Sequence, residues 1–186
     1  MNKTHIYLIH GYTASKTSNW FPSFEAEMQN ENVEVTVLDM PNSNNPVFHE
    51  WINHIEKSIK AYDANSIFIG HSLGCTTILS YLNRNRINTN IKGMFLISGF
   101  VEETPIPELA EFIEDELDYN YLINLTQNRI AISAKDDDIV PFDYSMRMAE
   151  KLKSQFILLD EGKHFIDRDN FTDFPFLVNE VKKLLE

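Results

Sequence analysis

The sequence predicts a single α/β domain built on a mostly parallel β-sheet. Six short apolar runs resemble buried strands, and segments with helical periodicity separate most of them. This alternation is typical of a parallel sheet with helices on both faces. The 186 residues suffice for one domain with a substantial core, and no linker, internal repeat or low-complexity tract divides them. We therefore expect residues 1–186 to form one domain.

The first half of the chain predicts three strands, each followed by a helix. Continuous apolar runs indicate the strands, and apolar residues at helical spacing, such as Trp51, Ile52 and Ile55, indicate the helices. In order, the elements are strand Ile6–Ile9, helix Trp20–Asn30, strand Val33–Leu38, a helix from Val47 to Tyr62, strand Ile67–Ile69, and a helix that begins at Leu73.

The second half predicts three more strands and two clear helices. The strands are Met94–Ile97, Arg129–Ser133 and Gln155–Leu159. A helix around Met146–Leu152 separates the last two strands, and a closing helix covers Phe176–Leu185.

The balance of charged residues limits the classes of partner. With 16 Lys and Arg against 28 Asp and Glu, the formal net charge is −12. Such a surface repels phosphate backbones and anionic lipid heads, so we expect neither nucleic acid nor membrane as a partner. Nothing in the sequence indicates a protein partner.

Cysteine content and hydropathy indicate in which cellular compartment the protein is expected. The single cysteine, Cys75, allows no internal disulfide, and we expect it to be a small buried core residue. The first apolar run is too short for a signal sequence, and no apolar stretch approaches membrane-spanning length. We therefore expect a cytoplasmic protein.

The third strand ends at Gly70-His71-Ser72-Leu73-Gly74, a G-x-S-x-G sequence between a predicted strand and a predicted helix. A sharp strand-to-helix turn exposes the side chain of its central residue, and the flanking glycines permit the tight backbone. The hydroxyl of Ser72 would lie at the positive end of the following helix, which favours a catalytic nucleophile. The alternative is a glycine-rich turn whose serine only caps the helix.

A serine nucleophile needs a base, and the base needs an acid that orients it, in the chain order serine, acid, histidine. The candidate acids are the adjacent residues Asp136, Asp137 and Asp138, which follow the fifth strand. Their alternatives are a helix cap or an adventitious cation site. The candidate base is His164, after the sixth strand, because no other histidine lies downstream of Ser72.

The proposed reaction also needs two donors for a developing oxyanion. The backbone N–H of Leu73, directly after the nucleophile, is the first candidate. The second is the backbone N–H of Tyr12, in the His10-Gly11-Tyr12 loop after the first strand. The Tyr12 side chain could instead simply form a pocket wall. No histidine pair has metal-ligand spacing, so we expect no metal site.

The segment 101–127 interrupts the regular alternation between the fourth and fifth strands. Leu109, Phe112, Ile113 and Leu117 recur at helical spacing and predict at least one amphipathic helix. The segment holds eight acidic residues and no Lys or Arg. These acids form either a solvated helix face or a small acidic cap over the active site that disfavours anionic substrates.

Taken together, these motifs resemble the α/β-hydrolase superfamily, and more narrowly the small serine hydrolases of the retinoblastoma-binding protein nine type with their compact bacterial relatives. The resemblance covers nearly the whole chain. It rests on His10-Gly11-Tyr12, Asn19-Trp20-Phe21-Pro22, Met40-Pro41-Asn42, Gly70-His71-Ser72-Leu73-Gly74-Cys75, Ile97-Ser98-Gly99-Phe100, Asp136-Asp137-Asp138-Ile139-Val140-Pro141 and Gly162-Lys163-His164-Phe165.

The resemblance implies a compact α/β-hydrolase fold whose six strands have the spatial order 2-1-3-4-5-6. It also implies that Asp137, four positions before the loop proline, is the acid. Asp138 departs from the family pattern, because an uncharged residue is more common there. Family members differ in the segment that corresponds to residues 101–127.

We therefore expect a serine hydrolase that cleaves ester, thioester or activated amide bonds of a small substrate through an acyl-enzyme on Ser72, with no cofactor. The alternative is a binding or protein-interaction module that keeps the fold but has little catalysis.

Overall fold

The computed structural model of the protein describes residues 3–59 and 62–186. Within these residues, six strands form one sheet in the order β2-β1-β3-β4-β5-β6, and every neighbouring pair is parallel. The predicted strand order is thus confirmed, and the sheet is parallel throughout its described part. The strands are β1 (Thr4–Ile9), β2 (Val33–Leu38), β3 (Ser66–His71), β4 (Gly93–Ile97), β5 (Arg129–Ala134) and β6 (Gln155–Leu159).

Six α-helices connect or follow these strands in the described part of the chain. They are α1 (Phe21–Met28), α2 (Phe48–Ser58), α3 (Leu73–Asn85), α4 (Tyr119–Asn124), α5 (Phe142–Leu152) and α6 (Pro175–Leu185). Two 3-10 segments, Pro107–Ile113 and Asp167–Asp169, complete the regular structure.

Helices cover both faces of the sheet, as the near-continuous apolar strands predict. In β1, Ile6 and Leu8 point to the face covered by α1 and α6, whereas Tyr7 and Ile9 point to the face covered by α2, α3 and α5. Successive side chains of a strand alternate between the two faces, so an apolar run supplies both cores at once. The central strands β3 and β4 are buried along their whole length.

Two predicted helices are shorter in the structure. Helix α1 ends at Met28 rather than Asn30, because the Asn30 side-chain oxygen accepts hydrogen bonds from the N–H groups of Asn32 and Val33 and forms a turn. Helix α2 ends at Ser58, and Ile59 is already extended. The predicted extension to Tyr62 is therefore wrong, and residues 1, 2, 60 and 61 of the predicted domain lie outside the described residues.

The segment 101–127 contains two short elements rather than one amphipathic α-helix. Leu109 and Phe112 are buried, as expected, but they belong to the 3-10 segment Pro107–Ile113. Leu117 lies outside both elements, and helix α4, which the sequence did not predict, is capped by the Asp118 side chain.

The acidic residues of this segment are mostly exposed, which fits a solvated face. Three of them also form ion pairs with arginines: Asp115 with Arg84 of α3, Asp118 with Arg86 directly after α3, and Glu102 with Arg147 of α5. The segment contains no basic residue of its own, so these pairs attach it to α3 and α5.

Candidate active site

Ser72 occupies a strained turn between β3 and α3. Its backbone has φ 54° and ψ −121°, a conformation that L-residues rarely adopt. A Cβ at Gly70 would lie 2.7 Å from the backbone of Cys75, and one at Gly74 would overlap the carbonyl oxygen of Ile9. The turn therefore requires both glycines of the sequence motif. The Ser72 side chain makes no capping hydrogen bond to α3, so the helix-cap alternative has no contact to support it.

His164 and Asp137 lie in direct contact although 27 positions separate them in the chain. His164 Nδ1 lies 2.9 Å from Oδ2 and 3.1 Å from Oδ1 of Asp137. The side chain of Asp137 is fully buried and that of His164 is 5% exposed. Because a carboxylate only accepts hydrogen bonds, Nδ1 carries the ring proton of a neutral His164 and Nε2 keeps its lone pair.

The backbone of its own turn holds Asp137 in place. Its Oδ1 accepts hydrogen bonds from the N–H groups of Ile139, at 3.0 Å, and Val140, at 2.9 Å. Hydrogen bonds of this kind stabilise a carboxylate and fix its orientation. The acidic turn after β5 thereby aims one of its three carboxylates at the ring of His164.

The two neighbouring aspartates have different contacts. Asp136 accepts a hydrogen bond from the backbone N–H of Lys163, at 2.8 Å. Asp138 forms an exposed ion pair with Arg168, at 2.9 Å, and this pairing lowers the pKa of the Asp138 carboxyl. Only Asp137, of these three residues, contacts the imidazole in the described structure.

The loop after β1 approaches Ser72 closely. A Cβ at Gly11 would lie 2.9 Å from the Ser72 Cβ and 3.5 Å from the Leu73 nitrogen. Leu73 is the first residue of α3, so its N–H has no acceptor within the helix. Gly11 and Tyr12 line the same cavity as Ser72. The two predicted oxyanion donors thus belong to segments that meet beside the serine.

His10 holds this loop in place through two hydrogen bonds of its ring. Its Nε2 accepts a hydrogen bond from the N–H of Met40, at 2.9 Å, so Nδ1 carries the proton and donates it to the carbonyl of Gly11, at 2.8 Å. Burial lowers the pKa of His10. The buried, neutral imidazole therefore connects the β1 loop to the Met40-Pro41-Asn42 turn.

Ser72 and His164 both line a cavity of about 470 Å³. Its apolar wall includes Ile106 and Leu109 from the segment 101–127, together with Ile139. Its polar wall includes Asn19 and Asp167, which exchange reciprocal hydrogen bonds of 3.3 Å and 3.0 Å between backbone N–H groups and side-chain oxygens. Sequence reasoning did not identify this polar pair, since 148 positions separate its members.

Other chemistries find less support in the described residues. Among residues 3–59 and 62–186, no group of three or more His, Cys, Asp or Glu side chains is arranged to hold a metal ion. Cys75 is buried, its Sγ lies 3.4 Å from the carbonyl of Ile97, and burial raises the pKa of its thiol. A neutral buried thiol is a poor nucleophile. In the same ranges, no helix has the length and apolar character needed to span a membrane.

A parallel sheet of this strand order, with a serine on a strand-to-helix turn, defines the α/β-hydrolase class. The chain belongs to the serine hydrolase family, whose model matches residues 6–183. It is similar to YdeN of Bacillus subtilis, a proposed hydrolase, with 32% identity over 173 residues that span 92% of this chain and 91% of YdeN. The crystal structure of the ydeN gene product superimposes with a TM-score of 0.94, at 30% identity, over 98% of this chain and 99% of that one.

More distant structures share the fold. A YdeN-like protein from Pectobacterium atrosepticum gives a TM-score of 0.73 at 15% identity, over 98% of this chain and 90% of its own. Mouse alpha/beta hydrolase domain-containing protein 10 gives 0.74 at 17% identity, over 100% of this chain and 91% of its own. At such identities the likeness shows the fold alone. The predicted membership of the α/β-hydrolase superfamily is confirmed.

Proposed function

We propose that the protein cleaves ester, thioester or activated amide bonds of a small substrate through an acyl-enzyme on Ser72. The observation that carries this proposal is the buried contact of His164 Nδ1 with Asp137 beside a cavity that Ser72 and His164 share. Membership of the serine hydrolase family supports hydrolysis as the reaction class.

In the first half-reaction, the Ser72 hydroxyl attacks the carbonyl carbon of the substrate, and His164 Nε2 takes the hydroxyl proton. Asp137 keeps Nδ1 protonated and stabilises the imidazolium that forms. His164 then donates the proton to the leaving oxygen, sulfur or nitrogen, and the acyl group stays on Ser72. The strained backbone of Ser72 holds its side chain towards the cavity before the substrate arrives.

In the second half-reaction, water attacks the acyl-enzyme while His164 again acts as base. The negative charge that develops on the carbonyl oxygen in both halves needs fixed donors. We assign these to the backbone N–H groups of Leu73 and Tyr12, because Gly11 brings the β1 loop within van der Waals distance of Ser72. The Leu73 N–H lies at the N-terminus of α3, where the positive end of the helix dipole also stabilises negative charge.

The cavity favours a small acyl group with an apolar surface. Ile106, Leu109 and Ile139 form one wall, and about 470 Å³ is at the low end of ligand pockets in general. The nearby Arg168 does not present an uncompensated charge to an anionic substrate, since its guanidinium pairs with Asp138 and Asp169. A short, uncharged acyl ester or thioester fits this lining.

Labelling with a fluorophosphonate probe tests the proposal directly, because the probe forms a covalent bond only with an activated serine. We expect stoichiometric labelling of the wild-type protein at Ser72 and none of the Ser72→Ala variant. Hydrolysis of p-nitrophenyl acetate should be lost in the same variant. A folded wild-type protein that neither labels nor hydrolyses would contradict the proposal and favour a binding module.

A further inference from the structure

The loop that carries His164 has an unfavourable backbone. Lys163 and Phe165, on either side of His164, have φ values of 51° and 55°. Non-glycine residues in this left-handed region are uncommon and cost free energy, so such a conformation persists only where surrounding contacts enforce it. The orientation of His164 therefore depends on the groups that hold this loop.

His71, the residue before Ser72, supplies one of these contacts. Its Nε2 lies 2.8 Å from the carbonyl oxygen of His164. A carbonyl can only accept, so Nε2 carries the proton and donates it. The contact joins the nucleophile turn to the histidine loop across 93 positions of the chain.

Aromatic neighbours fix the ring of His71. The residue is 2% exposed, and its ring lies edge-on to those of Trp20, at 6.2 Å, and Phe21, at 5.8 Å between centroids. Its Nδ1 is buried without a hydrogen-bond partner in the described structure. Burial of an unpaired Nδ1 costs free energy. The only hydrogen bond that the described structure gives the ring in return is the one from Nε2 to the His164 carbonyl. A residue needed only for packing would not require a polar ring here.

The same burial keeps His71 neutral when the neighbouring ring is charged. Burial, with a smaller effect of the His164 charge, lowers the pKa of His71 to about 3. The ring centroids of the two histidines are only 5.0 Å apart. A second imidazolium at this distance would oppose the charge that forms on His164 during catalysis, and the neutral ring avoids it.

We propose that His71 is a positioning residue that holds His164 in its catalytic orientation through the hydrogen bond from Nε2 to the His164 carbonyl. This inference rests on the proposed serine hydrolase function. His71 touches neither the substrate carbonyl nor the Ser72 hydroxyl in this scheme. It acts through the backbone of His164.

Three substitutions test the hydrogen bond itself. In His71→Gln the amide nitrogen lies near the former Nε2 position and can still donate, whereas the shorter amide of His71→Asn cannot reach the carbonyl. His71→Met fills the site without a donor. We expect kcat for p-nitrophenyl acetate to fall about 10- to 100-fold in the Asn and Met variants, as misplacement of a catalytic group by about 1 Å can cause. The Gln variant should retain kcat within about threefold. His71 is among the residues that line the cavity, but it is only 2% exposed, so we expect KM to change less than kcat in all three variants.

Val181→Ala is the matched control, because Val181 is fully buried in the core on the same face of the sheet but is not among the residues that line the cavity. Its kcat should equal that of the wild type even if its unfolding midpoint falls, which separates misplacement of His164 from general loss of stability. If His71→Met does not fold, the Asn and Gln pair decides.

Unchanged kcat in the folded Asn variant would overturn the inference, and so would an equal loss of kcat in the Gln and Asn variants. The failure of the proposed function is a different result: the wild-type protein itself would then be inactive and would not label at Ser72.

Discussion

The imidazole of His164 and the carboxylate of Asp137 form a buried contact of 2.9 Å, at the junction of two loops that follow β5 and β6. Adjacent parallel strands end at the same edge of the sheet, so residues 27 positions apart become neighbours.

Asparagine substitutions distinguish the three adjacent aspartates. In Asp137→Asn the amide no longer stabilises the protonated Nδ1 or the imidazolium, and we expect kcat to fall about 10³- to 10⁴-fold, by analogy with serine protease triads. Asp136→Asn keeps an oxygen that can accept from Lys163, and Asp138→Asn breaks only an exposed ion pair. Both should stay within about fivefold of the wild type. Steady-state kinetics with p-nitrophenyl acetate measure this, and equal losses in all three variants would refute the choice of Asp137.

The elbow glycine Gly74 should tolerate no side chain. A Cβ there would overlap the Ile9 carbonyl, so Gly74→Ala must displace either β1 or the start of α3. We expect a destabilisation of at least about 1–3 kcal/mol, the usual cost of overpacking, with loss of activity in whatever protein folds. Urea unfolding monitored by tryptophan fluorescence measures the change. Ser80→Ala, a buried position on the same helix, is the control and should alter the unfolding free energy far less.

Leu109 should limit the length of the acyl group. The Leu109 side chain lines the cavity from the segment 101–127, so Leu109→Ala enlarges the apolar part of the cavity. We compare kcat/KM for p-nitrophenyl octanoate with kcat/KM for p-nitrophenyl acetate. The octanoate-to-acetate ratio should rise about tenfold, which is the discrimination that one or two methylene groups provide in an apolar pocket. Leu122→Ala removes a buried leucine of the same segment that does not line this cavity, and it should leave the ratio unchanged. An equal change of this ratio in the Leu109 and Leu122 variants would mean that the segment affects substrate preference only through the stability of the protein.

Arg129 should contribute to stability rather than to catalysis. Its buried guanidinium donates to the carbonyls of Leu152, Ile123, Thr126 and Lys153, at the ends of α4 and α5. Arg129→Met leaves these carbonyls without their donor, so we expect the free energy of unfolding to fall by about 2–4 kcal/mol while kcat is unchanged. Denaturant unfolding combined with the ester assay tests both parts, and a large loss of kcat in the folded variant would contradict the assignment.

Stability should decrease in acid partly because of His71. Its pKa is about 3 in the folded protein and near 6.5 when unfolded, so between these values the unfolded chain binds the extra proton. This contribution is complete above pH 6.5 and is lost as the pH falls towards 3, with a slope of up to about 1.4 kcal/mol per pH unit. Urea unfolding at pH 7 and pH 5.5 should show a smaller difference for His71→Gln than for the wild type. The neighbouring buried His10, whose pKa is also lowered, contributes in both proteins and cancels in this comparison.

Patterns that are local in the chain predicted most of the fold. The strands Val33–Leu38 and Gln155–Leu159 have the predicted bounds, since short runs rich in β-branched and apolar residues between polar turns admit few other structures. The segment 101–127 was predicted less well. Its apolar spacing suits an α-helix, yet the chain forms a 3-10 segment and a separate short helix, because contacts with α3 and α5 outweigh a weak local preference.

The sequence alone determined the serine turn and the candidate partners of Ser72, because the nucleophile motif is contiguous and the order of elements limits where an acid and a base can lie. Only the tertiary structure decided which aspartate contacts His164, since Asp136, Asp137 and Asp138 are chemically identical and differ only in where their side chains point. The tertiary structure also brought His71 to the His164 carbonyl and His10 to the Met40 amide. Such hydrogen bonds join groups far apart in sequence, and no local pattern records them, because they depend on how the ends of several parallel strands meet at one edge of the sheet.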